Sequence, residues 1–212
     1  MTENNEDPAA DIAWMRRLAE EGAGAPMQGA SILMFAGLIY GTASVFHWAQ
    51  IGGLIDIPGL VEGVVWLIAT GLFFVVLTVV IMGLKRKAGV VTAGNRAAST
   101  VWSALGWGIF ALFASLAVLG FRLGEDAAML ALALTPSVIM VFYGIGWAVS
   151  ATMYRSRFLW WLAAGSFVAA PLLASMAEQE AQYLAYAAAL FLLMALPGWM
   201  LMRQARDRKS VV

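Results

Sequence analysis

The chain has 212 residues, 62% of them hydrophobic and 12% charged, with mean hydropathy +0.80 and a formal net charge of zero. A soluble domain carries about twice that charged fraction, so a soluble globular protein is excluded, and nothing in the charge balance points to nucleic acid. With no cysteine and a single histidine, the chain has no disulfide, thiolate metal site, iron–sulfur cluster, cysteine nucleophile or bis-histidine haem of its own.

Residues Met1 to Asp7 are polar and acidic. Asp7-Pro8 reads as a helix start, with Asp as N-cap and Pro at the first helical position. A short amphipathic helix is expected over 8–21, within a cytoplasmic N-terminal segment 1–28. Ile12, Met15, Leu18 and Ala19 share one face, with Trp14 beside them, and Arg16, Arg17, Glu20 and Glu21 lie elsewhere. Gly22 ends it. Its charge of about −1 rules out a polybasic lipid anchor. It either lies on the membrane surface or packs against the protein's own cytoplasmic loops. No secretory signal is visible, so the first span is expected to act as its own insertion signal.

Six apolar stretches follow: Ser31–Gln50, Val61–Leu84, Val101–Phe121, Ala127–Thr152, Phe158–Met176 and Ala181–Met202. Each is close to the ~20 residues that cross a hydrocarbon core of ~30 Å. The expected fold is all-α, a polytopic six-span transmembrane bundle over 29–203, closed by a basic cytoplasmic tail at 204–212. Pro136 and Pro197 each remove a helical hydrogen bond, which predicts kinks there.

Twelve of the thirteen basic residues fall on one side of this topology, and only Arg122 on the other. Both termini are therefore expected in the cytoplasm. The outer side carries Asp56, Glu62, Glu125, Asp126, Glu178 and Glu180. Trp48 and Trp66 fall near the outer interface, and Trp102, Trp160, Trp161 and Trp199 near the inner one, in the manner of aromatic belts. Trp107 and Trp147 lie deeper and are expected between helices.

Lipid tails give no hydrophobic drive for helix association, so small residues mark close helix contacts. Gly37 and Gly41 match the small-xxx-small pattern in the first span. The third offers Ala104, Gly108, Ala111 and Ser115, and the fifth offers Gly165 with Ala169 and Ser166 with Ala170. These are the expected packing positions.

His47 invites a proton-relay or metal-ligand reading. Its depth argues instead for an interfacial histidine bonded to a neighbouring carbonyl or carboxylate. If the outer ends converge, His47, Glu62, Glu178 and Glu180 make a mixed nitrogen and oxygen cation site; otherwise they are scattered outer-loop acids. Tyr40-Gly41 and Tyr143-Gly144 both fall near midplane, in the similar strings LIYG and VFYG. If spans one to three and four to six were repeats, they would be inverted. With Ser44 and Trp147, these tyrosines are the candidate ligand-binding residues.

No Asp, Glu, Lys or Arg lies deep in any span. Proton- and sodium-coupled carriers keep a buried carboxylate, and retinal proteins a membrane lysine. Phosphate-loop, HExxH and nucleophile-elbow motifs are missing too. The sequence thus points away from an enzyme and calls for no cofactor.

Leu18-Ala-Glu-Glu-Gly22, Ala25-Pro26 and Gly29, followed by a span that ends in His47-Trp48, resemble the start of a group of uncharacterised bacterial six-helix inner-membrane proteins. The resemblance covers about forty residues. It implies a bacterial inner-membrane location and carries no activity or site residue.

Three functions remain on sequence grounds. The first is a non-enzymatic accessory, scaffold or interaction protein, whose partners are membrane lipids and either a second copy or another membrane protein. The second is an uncoupled carrier or channel for a small neutral or amphipathic solute, lipid-like or quinone-like. The third is an outer-face cation sensor.

Overall fold

The computed structural model describes residues 12–13, 29–57, 63–86 and 93–209. The amphipathic helix expected over 8–21 lies outside these, apart from residues 12 and 13, as do Glu62 and residues 210–212.

The described residues are helical, with no strand among them. The helices are α1 (Ala30–Ile51), α2 (Val64–Arg86), α3 (Ala93–Leu123), α4 (Glu125–Ala133), α5 (Thr135–Tyr154), α6 (Arg157–Ala174), α7 (Ala181–Leu190), a π-helical turn (Phe191–Ala195) and α8 (Leu196–Lys209). They contain six stretches long and apolar enough to cross a membrane. The fourth combines α4 with α5; the sixth combines α7, the π turn and α8.

Several boundaries differ from the sequence expectation, each for a specific reason. α3 begins at Ala93 rather than near Val101. Asn95 is buried there, and its Oδ1 accepts the Tyr154 hydroxyl at 2.6 Å, so this polar turn is held under the end of α5. At 31 residues, α3 is about 46 Å long and exceeds a hydrocarbon core of ~30 Å. The fourth span is interrupted at Leu134, two residues before Pro136, where the backbone stays right-handed (φ −86°, ψ −11°) and α4 gives way to α5. Pro136 occupies the first turn of α5, where its missing N–H would be an orphan in any case. α8 continues as helix to Lys209, through most of the expected tail.

Two tight connections set the topology. Gly124, at φ 93°, turns the chain so that α4 doubles back along α3. Arg155 adopts a left-handed conformation, and the Ser156 hydroxyl caps α6 by accepting from the Leu159 N–H at 3.5 Å. α5 and α6 then pack along their whole length as a hairpin. Small residues make that seam close: Ala151, Ala163, Ser166 and Ala170 are all buried. A Cβ on Gly144 would strike the Phe167 ring at 2.6 Å.

The first span packs on α2 and on the whole sixth span, while α5 packs on α6 and α3. Exchanging spans one with four, two with five and three with six maps each of these pairs onto another. The exchange fails at one place. α6 touches the sixth span, whereas its counterpart pair, α2 and α3, does not form a packed interface. Those two helices are also the least buried. Along their most apolar stretches 6% of α2 and 0% of α3 is buried, against 33–44% for the other four.

Candidate functional site

The middle of the bundle is built from aromatic side chains on five helices. Trp147 on α5 is completely buried. Its indole N–H donates to the Leu193 carbonyl at 3.1 Å. Leu193 lies four residues before Pro197, which has no N–H to return to it. The sixth span opens into a π turn at this point, and the Leu196 N–H reaches back to Phe191 rather than to Leu192. The tryptophan therefore supplies a donor that the proline took away.

Trp102 on α3 stacks edge-on against Trp147, with ring centroids 5.2 Å apart, and lies 6.1 Å from the Tyr143 ring. Its indole N–H donates to the Ser150 hydroxyl at 3.1 Å. Gly146 makes room for it, because a Cβ there would meet the Trp102 ring and Leu105 at 2.8–3.0 Å. Tyr40 on α1 packs against the same cluster. Its hydroxyl donates to Thr70 on α2 at 3.3 Å, and its ring packs 5.6 Å from Phe73. Tyr186 on α7 is buried in the same cluster.

The expected ligand-binding set thus divides. Tyr40 and Tyr143 face a common interior, each covered by a different outlying helix. Ser44 is fully buried and its hydroxyl donates to the Tyr183 carbonyl at 2.7 Å, so it ties α1 to α7. Trp147 ties α5 to the π turn. Trp107, expected between helices, is 72% exposed and stacks on its neighbour Phe110. It sits on a face of α3 that no helix among the described residues covers.

The packing positions divide as well. Gly37 meets the backbone of Ala195 so closely that no Cβ fits between them. Gly41 faces the Phe191 ring, with 2.6 Å left for a Cβ, and Gly165 faces Leu193 with 3.0 Å. Gly108 has only ordinary contact with Phe142, at 3.8 Å. Ser115 is exposed and donates to the Ala111 carbonyl of its own helix. Gly198 is a close contact that the spacing did not single out; a Cβ there would meet the Met34 backbone at 2.5 Å.

His47 is buried at the end of the bundle near the 52–57 segment. Its ring stands edge-on to Tyr183 at 4.5 Å and to Trp66 at 5.7 Å. Glu178 and Glu180 are exposed, and Glu62 lies outside the described residues. Among the described residues no three His, Asp or Glu side chains gather as a metal site. Nearby, the buried Gln182 amide donates to the Ala133 carbonyl at 2.7 Å and to the Leu173 carbonyl at 3.0 Å. It joins the ends of α4 and α6 to α7. Sequence reasoning passed over Gln182, although an amide within an apolar stretch was a visible signal.

No protein-family model, curated protein or solved structure matches the chain.

Proposed function

We propose that this chain is a non-enzymatic accessory protein of a bacterial inner membrane, with both termini in the cytoplasm, that acts by contact with another membrane protein. The observation that carries this reading is the contrast among the six spans. Four are packed together, and the second and third stand outside with almost nothing buried along them.

The third span also carries its small-residue stripe outward. Ala104, Ala111 and Ser115 are exposed, while Gly108 among them keeps ordinary contact with Phe142 of α5. Gly71 on α2 and Gly106 on α3 have nothing within 4 Å of where a Cβ would lie. Lipid tails do not need small residues, whereas a partner helix does, because small residues let two backbones approach. The occupant of this face is therefore a transmembrane helix of a partner protein. The inner end fits the assigned orientation. Trp160 and Trp161 are exposed there, and the Arg203 guanidinium lies 5.4 Å over the Trp199 ring.

Purification from native membranes in a mild detergent, followed by native mass spectrometry, tests the reading. A stoichiometric complex with a second protein is the expected result. A monomer carrying only lipid would remove it, and a complex of identical copies would reassign the same face to self-association.

A further inference from the structure

Two tyrosine hydroxyls in the bundle interior lack a partner. Tyr143 is 8% exposed and Tyr186 4% exposed. Among the described residues neither hydroxyl makes a hydrogen bond. They share one buried cluster, against which Tyr40 also packs. The three phenols lie within electrostatic reach of one another. Neither hydroxyl oxygen is fully enclosed, so each is open to a neighbouring molecule, and within a bilayer core a partnerless hydroxyl gains from any acceptor that reaches it.

The surroundings limit what can satisfy them. No charged residue lies deep in any span, so a charged group would find no counter-ion there. Met140, Trp147, Leu190 and Met194 line the interior with apolar surface. Trp147 has already committed its only donor to Leu193. What remains is a pair of neutral O–H donors in an apolar setting, which suits the lone pairs of a carbonyl oxygen.

Two outlying helices cover the same region. α2 covers Tyr40 through Thr70 and Phe73, and α3 covers Tyr143 through Trp102. These two covering helices do not form a packed interface with each other.

We propose that the Tyr143 and Tyr186 hydroxyls, beside Tyr40, form an intramembrane binding site for the carbonyl group of a neutral amphiphile that enters between α2 and α3. Two sources offer that carbonyl, the ring of a quinone and the acyl ester of a glycerolipid. The site does not depend on the contact function proposed above, because it faces inward and the partner face looks outward.

The test uses the purified full chain in detergent. Its thermal midpoint is titrated separately with ubiquinone-1 and with dioctanoylglycerol. The same titrations are run on Tyr143→Phe, Tyr186→Phe and the double variant. Phenylalanine keeps the ring and removes only the hydroxyl, so the unliganded variants are expected to be at least as stable as the wild type. At least one probe should raise the wild-type midpoint saturably. The double variant should need at least tenfold more of it, and each single variant should need an intermediate amount. The probe that responds identifies the carbonyl source. Tyr154→Phe, whose hydroxyl bonds Asn95 at the far end of α5, should titrate like the wild type. If neither probe saturates, or if the Phe variants titrate like the wild type, water alone serves these hydroxyls and the proposal fails.

Discussion

Trp147 and Pro197 are coupled across two spans: the indole N–H of one occupies, at 3.1 Å, the carbonyl that the other leaves without its helical donor. Trp147→Phe should destabilise the protein by about 1–3 kcal/mol, because it strands the Leu193 carbonyl in an apolar interior. Pro197→Ala restores a backbone N–H four residues on. In that background Trp147→Phe should cost about 1 kcal/mol less, a coupling of the size found between close residues. A double-mutant cycle from reversible unfolding in detergent measures it; strictly additive effects would dissociate the two residues.

Gly37 and Gly71 make opposite predictions for the same substitution. At Gly37 a Cβ would fall on the Ala195 backbone, which cannot swing aside. Gly37→Ala should cost about 1–3 kcal/mol or more through overpacking. At Gly71 the space is open, and alanine should gain up to about 1 kcal/mol from helix propensity. Thermal midpoints of the two variants should therefore move in opposite directions, and equal losses would contradict the packing described here.

Gln182 should behave as a staple. Gln182→Leu leaves the carbonyls of Ala133 and Leu173 without their side-chain donor, at a cost of about 1–3 kcal/mol. Loosening should be local, so limited proteolysis ought to cut first near residues 174–181. Cleavage confined to the N-terminal segment would argue against a staple.

His47 should behave as a packed ring. Edge-on contacts to Tyr183 and Trp66 are shapes that phenylalanine can reproduce, whereas alanine leaves a cavity. His47→Ala should lower stability by about 2–4 kcal/mol, and His47→Phe by less, because it keeps the bulk of the ring. Calorimetric titration with zinc should give the same isotherm for wild type and His47→Phe. A saturable signal lost in the variant would favour the cation-sensor reading instead.

The six spans were legible because hydropathy over ~20 residues is a one-dimensional property. Close contact at Gly37 and Gly41 was legible for a similar reason, since small residues four apart lie on one helix face. Features that depend on a second span were not. The π turn at Phe191–Ala195 follows from Pro197, yet what stabilises it comes from Trp147, 46 residues earlier. The start of α3 at Ala93 depends on Tyr154 reaching Asn95. Trp107 and Trp147 look alike in sequence, each in an apolar run, and only the packing of α3 against α5 on one side alone exposes the first and buries the second. Tyr143 could be placed near midplane, but its lack of a partner is a property of its neighbours.

Site-specific photocrosslinking in native membranes tests the central claim most directly. A photoreactive phenylalanine analogue would replace Ala111, on the outward stripe of α3, and in a second variant Leu192, which is 61% exposed on the sixth span. Both side chains face the surroundings, so lipid alone would label them alike. A discrete protein adduct from position 111 and none from position 192 is the expected result. Lipid adducts only, at both positions, would contradict an accessory protein that works through its second and third spans.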